Sequence, residues 1–104
     1  HRATYETFTV LKGEFEVRWN DEGDGREVLR QFDTISFPPG VCRGFCNIGA
    51  DEGILQVIIT GGVHDMNDIA FTRRARGEIE AVGTGLAAEF EKAGFTFDAS
   101  EISP

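Results

Sequence analysis

Residues 14–19 alternate strictly, with Phe15, Val17 and Trp19 at one parity and Glu14, Glu16 and Arg18 at the other. A period of two marks a strand with one buried and one wetted face. The stretch before it, residues 4–11, is rich in the Thr, Tyr, Phe and Val that fit a pleated surface, and Lys12-Gly13 supplies the turn between the two. Residues 20–25 read as a hairpin loop, loaded with Asn, Asp and Gly. Weaker strand patterns cover residues 26–32, 34–37 and 41–47. The second of these stops at Pro38-Pro39-Gly40, where prolines cannot donate ladder bonds. After a turn over 48–53, Ile54–Thr60 is apolar at both parities. That predicts a central strand, or one covered by a helix or a second subunit.

Beyond Gly61-Gly62 the spacing changes. Residues 86–93 (LAAEFEKA) have helix-forming composition, with Thr84 as the expected N-cap and Gly94 as the stop. Leu86 and Phe90, four apart, predict a face that docks on the β-structure. No internal repeat or low-complexity segment interrupts the pattern. The elements add up to an all-β protein, a barrel or sandwich of about six short antiparallel strands with a C-terminal helix. The expected division is a core over residues 1–62 and a loop plus helical extension over 63–104.

Composition narrows the function classes. A chain of 104 residues makes one domain, and nine Phe against one Trp and one Tyr predict an interior filled by aromatic rings. Eighteen acidic and ten basic residues give a formal charge of -8, which repels phosphate backbones. The only basic cluster is Arg73, Arg74 and Arg76, read as a solvated loop or helix start. Nucleic acid is therefore not an expected partner. The longest apolar run is too short for a bilayer, no secretory signal is visible, and two Cys do not make a disulfide scaffold. A cytoplasmic location is expected. Cys42 and Cys46, four apart on one strand, lie roughly 13 Å from each other, too far to bridge, and read as buried free thiols.

Two stretches together resemble the cupin superfamily. His1, then Glu6 after four residues, then Gly13 are similar to the latter half of its first motif, a His, a Glu after three or four residues, and a Gly. Residues 32–47 resemble the second motif: a Gly, five residues, Pro-x-Gly, two residues, a His, three residues and an Asn. Here Pro38, Gly40 and Asn47 match, Phe32 stands at the opening Gly and Arg43 at the His. The resemblance implies a cupin-type jelly-roll β-barrel with a pocket in its mouth. It also implies, for metal-binding members, a site of three His and one Glu holding Fe, Mn, Ni or Zn, suited by imidazole and carboxylate ligands. The chain opens on His1 rather than Met, so the earlier first-motif His is expected upstream of it.

Arg43 changes what this site can do. A guanidinium has no lone pair to donate and stays protonated. Beside a cation it adds repulsion on the order of 4 kcal/mol per unit charge pair at about 4 Å and intermediate dielectric. A four-ligand metal site is thus excluded at this position, while a remnant of His1, Glu6 and an upstream His stays open. Arg43 shares strand parity with Val41, Phe45 and Asn47, and the motif geometry predicts that it neighbours Glu6 in one pocket.

The expected site residues are Glu6, Arg43, His1 and Gln56, the last being the lone polar side chain of an apolar strand. The foremost expectation is a small-molecule-binding protein that takes an anionic or polar ligand through Arg43 and Glu6. The alternatives are a metal-dependent oxygenase, isomerase or decarboxylase using His1 and Glu6, and a structural dimerisation module packed by Phe. An internal Arg43–Glu6 ion pair joining two sheets is the plain structural reading. A homodimer is expected from the doubly apolar strand. His64-Asp65 reads as an exposed loop, and Gly83-Thr84-Gly85 lacks the strand and Lys of a phosphate loop.

Overall fold

The alternating segment forms strand β2 (Phe15–Trp19), following β1 (Tyr5–Lys12) across a turn in which Gly13 takes a φ of +86°. The structure is a computed structural model that describes residues 1–20, 25–61 and 66–99. β3 (Gly25–Leu29), β4 (Thr34–Phe37), β5 (Arg43–Asn47) and β6 (Ile54–Thr60) complete two three-stranded antiparallel sheets, ordered β4-β1-β6 and β3-β2-β5. Among the described residues the sheets are not closed into a barrel.

The parity read from the sequence decides which side chains lie between the sheets. Phe8 and Val10 of β1 meet Phe15 and Val17 of β2, Leu29 of β3 and Phe37 of β4 in one buried cluster. Ring pairs run within and between the layers: Phe8 lies 6.0 Å from Phe37 of its own sheet and 5.4 Å from Phe45 of the other. On the outer face, Thr7 pairs with Ser36 and Thr9 with Thr34, each hydroxyl pair at 2.9 Å, as cross-strand neighbours on a wetted face should. Trp19 packs 5.7 Å from Phe37 and lies over Gly25, where an added Cβ would come within 2.3 Å of the indole nitrogen.

The second-motif departure at residue 32 has a backbone consequence. Phe32 adopts a φ of +72° with its ring 73% exposed. The turn is pinned because the Phe32 amide donates to Val10 O at 2.7 Å and the Val10 amide to Asp33 O at 3.1 Å. A left-handed backbone is crowded by Cβ and costs roughly 1–2 kcal/mol, which explains why a glycine suits this position. At the motif's end, Asn47 accepts from the Gly49 amide at 2.9 Å and donates to Asp51 O at 3.0 Å, bracing the turn into β6.

Three expectations need correction. Among the described residues β6 is not central and no helix covers it, since it pairs with β1 alone and leaves Ile58 and Ile59 about half exposed; of the three expectations for this strand only cover by a second subunit stays open. Its apolar residues fit an interior strand and an uncovered edge equally well, so composition could not decide. Cys42 is half-buried and Cys46 exposed, both free, rather than fully buried. The C-terminal region is more than one helix. It comprises a short 3-10 turn (Met66–Asp68), β7 (Ala70–Thr72), α1 (Arg73–Val82), α2 (Leu86–Lys92) and β8 (Thr96–Ala99), with β7 and β8 parallel.

The arginine cluster is indeed a helix start, capped by the Thr72 hydroxyl accepting from the Ala75 amide at 3.1 Å. The N-cap of α2 is Gly85, not Thr84. The Glu80 carboxylate accepts the Gly85 and Ala87 amides at 2.5 and 3.1 Å, which hold its pKa below the ordinary value. Gly94, at φ +109°, ends the helix as expected. Phe90 packs on the β7–β8 pair, where it joins Phe71, Phe95 and Phe97 in an aromatic cluster. His64 and Asp65 lie outside the described residues.

Candidate functional site

β1 carries Glu6 on the same inward face as Phe8, with Phe37 and Ile59 as its cross-strand partners. β5 carries Arg43, opposite Trp19 of β2 in the other sheet. Where the sheets meet, Arg43 Nε donates to Glu6 Oε1 at 3.2 Å. The expected neighbourhood of carboxylate and guanidinium is therefore present. His1 joins them, its Nε2 at 3.2 Å from Glu6 Oε2.

The sequence reading missed a fourth member, Asp68. Its Oδ2 stands 2.7 Å from His1 Nδ1 and accepts the Thr4 hydroxyl at 2.5 Å, while its Oδ1 accepts the Ala3 amide at 2.5 Å. Burial alone would push this carboxyl up, but the Thr4 hydroxyl, His1 and the Ala3 amide outweigh it and hold the pKa at about 2. Asp68 thus ties the first residues of the chain to the C-terminal region. No local signal marks it, because its partners lie more than sixty positions away. An imidazole with a carboxylate oxygen at each nitrogen makes both contacts as hydrogen bonds only when both nitrogens carry protons.

Arg43 is as enclosed as Asp68, each side chain 5% exposed. Besides Glu6 it donates through Nη1 to Val41 O at 2.8 Å, and its charge lies 5.6 Å from the Phe37 ring centroid. Among the described residues Nη2 is buried without a hydrogen-bond partner. Arg43, Glu6 and His1 line a cavity of about 440 Å³, bounded by Phe8, Val41 and Phe45 from the sheets and by Ile69 and Phe71 from the C-terminal region. At its rim Arg2 donates to Thr96 Oγ1 at 2.9 Å and pairs with Asp98. The Thr96 hydroxyl first, with Arg2 adding, holds the Asp98 carboxyl below its ordinary value. Gln56, the other candidate, is exposed on β6 opposite Thr9 and is not among the lining residues. Its outward parity excludes it.

The side chains present do not fit a divalent cation. Among the described residues no three His, Cys, Asp or Glu are grouped to hold one. Both Glu6 oxygens are engaged, one by Arg43 and one by His1, and a guanidinium occupies the position of the second-motif His.

The fold and cavity define a β-sandwich protein with an enclosed polar cluster at one end of its core. The model of the cupin domain family matches residues 1–60, more than half of the chain, and the chain belongs to that family. Among solved structures it is similar to protein BH2720 of Bacillus halodurans, with a TM-score of 0.58 and 19% identity over 62% of this chain. The chain spans about half (51%) of that protein's length, and the likeness concerns the fold alone. No curated protein matches the chain. Among the described residues no helix is long and apolar enough to cross a membrane.

Proposed function

We propose that this protein is a jelly-roll cupin that binds a small molecule through an anionic group held by Arg43. The observation that carries the reading is the unpartnered Nη2 of a guanidinium that is almost wholly enclosed at a cavity wall. Leaving a buried donor on a charged group unmet costs several kcal/mol on the order of 1–3 or more, a debt that an acceptor atom of a ligand cancels. Glu6 and Val41 O fix the orientation of the guanidinium, so its free edge is presented rigidly. In this reading the guanidinium stands in for the metal ion of other family members, and a reducing, cytoplasmic setting suits the two free thiols.

The test is titration of the protein with acetate, 2-naphthoate and inorganic phosphate, followed by NMR, alongside Arg43→Met and Arg43→Lys. At least one anion binds the wild type, and Arg43→Met weakens it by about tenfold or more. Melting changes little, because Glu6 keeps His1. Loss of folding in both variants would instead identify a purely structural ion pair. Stoichiometric Fe, Mn, Ni or Zn in the purified protein would overturn the reading from the other side.

A second reading, compatible with the first, is a homodimer through β6. That strand carries no charged residue and exposes Ile54, Val57, Ile58 and Ile59, whereas solitary edge strands are normally protected by charge. Sedimentation is expected to show a dimer that Ile58→Lys dissociates; a wild-type monomer at high micromolar concentration rules it out.

A further inference from the structure

The walls of the cavity define the class of ligand more narrowly than its anionic group does. This step rests on Arg43 acting as the anion grip. Charge on the walls is balanced: Arg43 is matched by Glu6, Arg2 by Asp98, and Asp68 stands behind His1. A dianion entering such a wall meets the two lining carboxylates, Glu6 and Asp98, and one unspent guanidinium edge, in a chain whose formal charge is -8. A monoanion needs no more than that edge.

The rest of the wall is apolar, and it comes from both parts of the chain. Phe45 from β5 is 54% exposed although its ring contacts Phe8 and Phe15. Phe71 from β7 faces the cavity while lying 5.7 Å from Phe97 in near-parallel stacking. Val41 and Ile69 fill the space beside them. A ring left half-open beside a cavity gains area and stacking energy from a flat apolar guest. A cavity of about 440 Å³ has room for a bicyclic body as well as a carboxylate.

We propose that the cavity takes a monocarboxylate with a flat apolar body, its carboxylate on Arg43 Nη2 and its body against Phe45 and Phe71, and that it discriminates against phosphate dianions. The ligand accepts one hydrogen bond from the guanidinium, leaves the Glu6 pair intact and covers the half-open ring.

The experiment compares four probes on the whole chain by isothermal titration at pH 8: 2-naphthoate, acetate, naphthyl phosphate and 2-naphthalenemethanol. 2-Naphthoate is expected to bind about tenfold or more tighter than each of the other three. Phe45→Ala lowers naphthoate affinity by about tenfold and leaves acetate unchanged. Arg43→Lys, which keeps the charge and the fold, weakens naphthoate because its ammonium cannot reproduce the fork.

Failures of the two readings are distinguishable. If naphthyl phosphate or acetate binds as well as naphthoate, and Arg43→Met abolishes both, the anion grip stands and the ligand class is wrong. If the alcohol matches the carboxylate, or no probe binds, the grip itself is wrong.

Discussion

The two ends of the inner face of β1 differ sharply although they belong to one short strand. Phe8 and Val10 are sealed in the apolar cluster between the sheets. Two positions before Phe8, Glu6 is almost as enclosed, but its neighbours are His1 and Arg43. The first end gains free energy simply by leaving water. The second must meet each desolvated charge with a partner, and it leaves one donor of Arg43 unmet. Apolar packing therefore supplies the stability, and in the proposed function the polar end is where that stability is spent on recognition.

Substitutions at the two ends separate these roles. Phe8→Ala is expected to cost about 3–5 kcal/mol, read by urea unfolding, because a ring with neighbours in both sheets leaves a cavity. A loss under about 1 kcal/mol would break the comparison at its apolar end. At the polar end, Asp68→Asn is expected to cost at most about 2 kcal/mol near neutral pH. The sign follows from the carboxyl being lowered from 3.8 to about 2. Its stabilisation is complete above the ordinary carboxylate range and is lost as pH falls towards the folded value. Wild type and variant should therefore converge as pH drops from about 4 to about 2, in melts recorded across that range. A gap independent of pH would mean that the ionised form contributes nothing. The smallest effect touches neither end: Phe32→Gly should stabilise by about 0.5–1 kcal/mol, as relief of left-handed strain exceeds the entropy lost with glycine. A lower melting temperature for this variant would show that the exposed ring contributes more than its backbone costs.

What could be read in advance follows the same division. β2 was legible because alternation records directly which side chains face the core, and the pairing of Glu6 with Arg43 followed from motif spacing and strand parity. Gln56 was misplaced because its strand was read as an interior one, whereas β6 is an edge and its parity there points outward. α1 was legible only as far as its start at the arginine cluster, since it buries no residue fully and carries Gly77. Ile69 and Phe71 reach the cavity, and Asp68 holds His1 behind it, from the far side of the chain, a convergence made by tertiary packing that no window of sequence contains.

Trp19 stands directly across from Arg43 in the β2–β5 ladder and packs on the same Phe37 ring as the guanidinium. It is also the chain's sole tryptophan. The protein thereby carries an optical gauge one strand away from its charged cavity wall. Whatever draws the guanidinium off Phe37 shifts the packing around the indole, so emission intensity can be followed through a titration without any added dye.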